Sequence, residues 1–200
     1  WEAKSFLQEN HIHFQPGVNE ELAATAVWGS QQTNLFPGAR YDGVYAMWYG
    51  KGPGVDRCGD VFKHGNSAGV SEHGGVLLLA GDDHGCKSAT NTNQSEHAFI
   101  AASIAILNPA DVQELLDYGI IGWEMSRYSG CWVALKAITE NMDSAISADI
   151  DPHRVNIVIP GDFALPADGV HGRWPDKPLE QELRLNKYKI YAAREFARVN

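Results

Sequence analysis

The chain has 200 residues, 44% of them hydrophobic, enough for one domain burying roughly 70% of its unfolded surface. Asp and Glu number 25 against 16 Lys and Arg, a formal charge of -9 with no basic run, which excludes a surface that tracks nucleic-acid phosphates. The longest apolar runs, such as Val76-Leu77-Leu78-Leu79-Ala80, fall far short of the roughly 20 residues of a membrane-spanning helix. Cys58, Cys86 and Cys131 form neither a disulfide framework nor a metal cluster, so a reducing, cytoplasmic setting is expected.

The opening WEAKSFLQEN has no initiator Met and no signal pattern, so the chain reads as cut from a longer protein, with an N-terminal element of the fold missing. Residues 2–8 are a short helix and Pro16-Gly17 a turn. Asn19 is a good N-cap, Glu20 and Glu21 fill a first turn, and Leu22, Ala23, Ala26 and Val27 give an apolar face; a helix is predicted over 19–35. The aromatic run 44–49 is a strand feeding a Gly-rich loop at 50–54, with a helix over 56–68. The glycine-bounded run 74–81 is the mark of a central parallel strand covered on both faces. A helix over 95–102, a strand at 105–107 and a helix over 109–121 follow, the last opened by Asn108-Pro109. Pattern alone leaves 132–138 open between helix and strand, whereas 155–159 before Pro160 reads as a strand. After a loop-like stretch at 163–178, residues 179–199 form an amphipathic helix whose stripe of Leu179, Leu183, Tyr188, Ala192 and Phe196 docks on the body. Strands alternating with helices predict an α/β fold, a mostly parallel sheet with helices on both faces and ligands at the strands' carboxyl ends. The body is expected over 1–162, and 163–200 to dock on it or lead onward.

Gly81-Asp82-Asp83-His84-Gly85-Cys86-Lys87-Ser88 looks like a phosphate-binding loop, but Cys86 separates Gly from Lys-Ser and two aspartates would repel phosphates. Asp82 and Asp83 sit where such folds bind ligands; holding the loop by hydrogen bonds is an equally good reading. The histidines, among them His11, His13, His73, His84 and His97, lack the close helical spacing of metal ligands, and no metal site is assigned. Cys86 and Cys131 read as ordinary thiols. Glu20 and Glu21, at the mouth of a helix, need nothing beyond the helix dipole to explain them.

Three stretches change that balance: QPGVNEELAATAVWGSQQ at 15–32, MWYGKGPGVDRCGDVFKH at 47–64, and GGVLLLAGDDHGCKS with NQSEHAFI within 74–100. Together with LDYGIIGWEMSRYSGCWVALK at 116–136, DPHRVNIVIP at 151–160 and RWPDKPLEQE at 173–182, they resemble the fused-subunit bacterial indolepyruvate ferredoxin oxidoreductases over nearly the whole chain. The resemblance implies the pyrimidine-binding domain of a thiamine diphosphate enzyme that decarboxylates aromatic 2-oxoacids, reduces ferredoxin and releases an acyl-coenzyme A. It implies a three-layer thiamine diphosphate-binding fold, with Glu20 matching the family's glutamate that hydrogen-bonds N1′ of the cofactor's aminopyrimidine. Gly50, Lys51, Asp82, Asp83, His84, Lys87 and Ser88, on the neighbouring loops, become cofactor-binding candidates. Burial at a domain seam is expected for Glu20, leaving Glu21, about 100° round the helix, as the ordinary first-turn carboxylate.

The family's diphosphate and magnesium are held by a second domain with a Gly-Asp-Gly motif, which neither Gly161-Asp162-Phe163 nor Gly81-Asp82-Asp83 supplies. The resemblance therefore implies a diphosphate-binding domain of the same or a neighbouring chain, iron–sulfur clusters elsewhere and a homo-oligomer, with this chain inactive alone. The alternative is a non-catalytic α/β binding or interaction module that kept the scaffold.

Overall fold

The computed structural model describes residues 2–151, 153–174 and 176–200. Four strands, β1 (Tyr45–Lys51), β2 (Gly75–Asp82), β3 (Ala105–Leu107) and β4 (Val133–Ile138), form one sheet in the order β1-β2-β4-β3. All three pairings are parallel: Trp48 lies opposite Leu78, Leu78 opposite Ala134, and Ile106 opposite Ala134. The helices are α1 (Lys4–Glu9), α2 (Glu20–Ser30), α3 (Gly52–Arg57), α4 (Gly59–Ala68), α5 (Glu96–Ala101), α6 (Val112–Ser129), α7 (Thr139–Met142), α8 (Pro178–Arg184) and α9 (Ile190–Val199), with a π turn at Leu185–Lys189 between the last two.

Alternate residues of the central strands feed two cores, which is why their sequences are apolar throughout. On one face Val76, Leu78 and Ala134 join Trp48, Phe62, Phe99 and Trp132, with residues of α2 to α5 around them. On the other, Leu77, Val133 and Leu135 pack with Met125 of α6 and with Ala193 and Phe196 of α9. The result is a three-layer α/β arrangement. Crossovers run over the first face from β1 to β2 to β3, and over the second on the return from β3 to β4, as a single crossover hand requires.

Four predicted features come out differently. The expected Gly-rich loop at 50–54 is the end of β1 and the start of α3: Pro53 lies in the first turn, where its missing N–H costs nothing. Glycine is needed at 52 and 54 because Asn93 and Glu20 lie against them, each with an atom within 2.6 Å of where a Cβ would stand. The ambiguous segment is β4, and the predicted strand at 155–159 has no ladder at all. There Ile157 packs on the second core, and the N–H and C=O of Val158 bond the side-chain amide of Asn200. Of the predicted C-terminal stripe, Leu179 and Leu183 are 78% and 62% exposed; the π turn, with its extra residue, directs Leu185 and Lys189 inward instead. Helix α2 stops at Ser30, short of the predicted 35, and a single 3₁₀ turn follows at Thr33–Leu35.

Among the described residues no helix is long and apolar enough to cross a membrane.

Candidate functional site

β1, β2 and β4 end side by side, and their carboxyl edge carries most of the polar residues singled out above. Asp82, the last residue of β2, accepts bonds from the backbone N–H of Ser95 (2.9 Å) and from its hydroxyl (2.5 Å). Lys136 of β4 lies 3.6 Å from the same carboxylate and ion-pairs with Glu96 at the head of α5. Asp82, Ser95 and Lys136 are all buried. The Lys136 ammonium bonded to it is the main cause that holds the Glu96 carboxyl below its ordinary range.

Asp83 points into its own loop, where the N–H groups of Lys87 (2.9 Å), Ser88 (2.6 Å) and Ala89 (3.0 Å) converge on its carboxylate. Those bonds hold its carboxyl below the usual range, and they pin a turn in which Cys86 takes a positive φ of 51°. Lys51 donates across to the carbonyl of Ser88, tying the end of β1 to this loop. His84, Lys87 and Ser88 are exposed. Asp82 and Asp83 thus do the loop-holding work that was one of their two readings.

Glu20 stands apart from that cluster. Asn19 caps α2, its side-chain oxygen accepting the N–H of Leu22 at 2.9 Å, so Glu20 is the first helical residue. The indole N–H of Trp48 donates to the Glu20 carbonyl at 3.0 Å, which anchors the start of α2 to β1. The side chain then lies over Gly54, where a Cβ would come within 2.6 Å of the Glu20 Cγ. Its Oε2 is 3.3 Å from Nε of Arg57, the last residue of α3, and the side chain is 42% exposed. The burial expected of Glu20 is therefore not met within this chain. Cys58 is fully buried beside the pair, and its thiol is pushed up to about 12, by burial first and then by the nearby charges of Glu20 and Glu21. Glu21 is exposed and takes no ion-pair partner among the described residues.

Gly52 faces Asn93, on the loop held by Asp82, whereas Gly54 faces Glu20. Two residues apart on a helix is about 200°, so α3 stands between the two groups. Among the described residues Glu20 makes no hydrogen bond or ion pair with Gly50, Lys51, Asp82, Asp83, His84, Lys87 or Ser88, and no set of three His, Cys, Asp or Glu side chains is placed to hold a metal ion. A groove of about 360 Å³ lies elsewhere, between β3 and α9. Sequence reading passed over Arg57, Lys136 and Glu96, whose partners are 37, 54 and 40 positions away or more locally unmarked; nothing in their immediate neighbourhood signals those contacts.

The chain is similar to the indolepyruvate oxidoreductase subunit IorA of Methanothermobacter thermautotrophicus, with 27% identity over 128 residues. That stretch is 64% of this chain and 19% of the relative, so the chain spans about a fifth of the length of the protein it matches. No protein-family model matches the chain, and no solved structure does.

Proposed function

We propose that this chain forms the pyrimidine-binding half-site of a thiamine diphosphate-dependent oxidoreductase. The complete enzyme would oxidatively decarboxylate aromatic 2-oxoacids of the indolepyruvate kind to acyl-coenzyme A and pass the electrons to ferredoxin. The observation that carries this reading is Glu20: a carboxylate fixed at the first position of a capped helix, with its backbone held by Trp48 and its side chain over Gly54. The distant similarity to an indolepyruvate oxidoreductase subunit supports it.

The residues fit the pyrimidine end of the cofactor. Gly54 makes room for the Glu20 stem against α3, and Val18 and Leu22, near the start of α2, are exposed apolar residues for a covering domain to bury. A second domain seated here would complete the burial that Glu20 lacks. When bound, the aminopyrimidine supplies a ring-attached nitrogen that removes the thiazolium C2 proton. Glu20 has one task in that reaction, to share a proton with N1′ of the ring. The stabilised start of α2 keeps it within reach, and exclusion of water by the docked domain strengthens the bond. No donor set for the diphosphate is assigned to this chain, and the diphosphate-binding domain is its proposed partner.

Glu20→Gln in the full-length protein tests the assignment. The amide can neither accept nor return the proton, so 2-oxoacid-dependent dye reduction should fall at least ~100-fold, with unchanged thermal unfolding. Turnover within a few-fold of the parent protein contradicts the half-site reading and favours a module that kept only the scaffold.

A further inference from the structure

We propose that Arg57 is a positioning residue for Glu20, orienting its carboxylate and drawing the shared proton toward the cofactor ring; this rests on the half-site reading above. Three observations place it. Arg57 Nε lies 3.3 Å from Glu20 Oε2, and among the described residues the Glu20 carboxylate accepts no hydrogen bond that would compete with a ring nitrogen for it. Gly54, one helical turn before Arg57, lets the Glu20 stem lie against α3, its Cγ 2.6 Å from the missing Cβ, so the half-exposed carboxylate stands within reach of Arg57. Helix ends of opposite polarity also meet here: Glu20 lies at the positive amino end of α2, which is eleven residues long, and Arg57 is the last residue of α3.

In the exposed chain such a pair adds little to stability, as half-exposed ion pairs generally do. Its value appears when a second domain covers the seam. A cation beside Oε2 then favours the arrangement in which the shared proton sits on the ring nitrogen and the carboxylate keeps its charge. It also spares that covered carboxylate from standing unpaired.

The test compares Arg57→Met, Arg57→Lys and Glu20→Gln in the full-length protein. Arg57→Met should lower turnover about 10-fold and weaken the equilibrium affinity of the apoprotein for thiamine diphosphate with magnesium roughly 3- to 10-fold by titration calorimetry. KM for the 2-oxoacid should hold, and the thermal midpoint should move by no more than about 2 °C. Arg57→Lys, which keeps the charge, should recover most of both losses. The proposal is overturned if Arg57→Met leaves turnover and cofactor affinity within twofold of the parent, if it tightens cofactor binding as a competing latch would, or if Lys rescues no better than Met. If Glu20→Gln is itself near-normal, the half-site reading falls; if Glu20→Gln is inactive while Arg57→Met is normal, only this inference does.

Discussion

Replacement of Lys189 by Met should destabilise the chain by about 3–5 kcal/mol and erase a rise in stability above pH 8. Lys189 ends the π turn, is 1% exposed, and sends its ammonium between the carboxyl ends of two helices. It donates to the carbonyls of Asn66 (3.1 Å) and Ser67 (3.0 Å) in the last turn of α4, and lies 3.4 Å from the carbonyl of Gly130, which caps α6. Both helix ends are negative, so their dipoles favour the cation. Met fills the space but leaves those carbonyls dry and unpaired, and each such loss costs about 1–3 kcal/mol.

The pH signature follows from linkage. Burial depresses the Lys189 ammonium from 10.5 to about 8, so between those values the unfolded chain binds the proton more tightly. Stability therefore rises with pH through that window, and the contribution is lost as pH falls below about 8. Cys58 runs the other way: its thiol is raised from 9.0 to about 12, so its contribution is complete below pH 9 and fades as pH climbs toward 12. Urea midpoints should climb between pH 8 and 9 and then flatten or fall. In Lys189→Met the climb should be missing, and only the later fall should remain.

Asn66→Ala is expected to cost about 3 kcal/mol, a drop in thermal midpoint of roughly 10 °C for a chain of this size. Asn66 is fully buried at the end of α4 and spends its whole side chain on three backbone groups from two other segments. Its NH₂ donates to the carbonyls of Ala102 and Ser103, both at 2.9 Å, and its oxygen accepts the N–H of Trp132 at 2.8 Å. One residue thus joins the first-face helices to the turn before β3 and to the start of β4. Ser103 has a positive φ of 55°, a conformation that needs outside support. Asn66→Asp keeps the acceptor but loses both donors, so it should rescue little. Circular dichroism melts of the two variants check this directly; a midpoint within about 2 °C of the parent for Asn66→Ala would remove Asn66 from that role.

The central sheet was readable because its strands follow a one-dimensional rule. β2 is apolar at every position before Asp82 and fenced by glycine, and only a strand covered on both faces needs that. β4 was harder: VALKAI is short and carries Lys136, whose charge is met by Asp82 and Glu96 far away in sequence. Residues 155–159 have the composition of a strand, but composition cannot say that Asn200 will satisfy Val158. Glycines 52 and 54 announced a loop, whereas the structure uses their missing side chains inside a helix to admit Asn93 and Glu20.

The candidate site divides along the same line. The cap at Asn19 and the place of Glu20 behind it were legible, since N-cap chemistry is local. The Arg57 contact and the buried Lys136 arrangement were not, because each depends on a long-range packing decision. Lys189 was hidden more deeply still, inside a helix whose regular period put Leu179 and Leu183 on the docked face; they are exposed.

The most direct measurement is a structure of the full-length protein with thiamine diphosphate and magnesium bound. One Glu20 oxygen should lie within about 3 Å of N1′ of the aminopyrimidine, with the other still on Arg57 and the ring closed in by a second domain. A ring seated elsewhere, with Glu20 facing open water, would contradict the account.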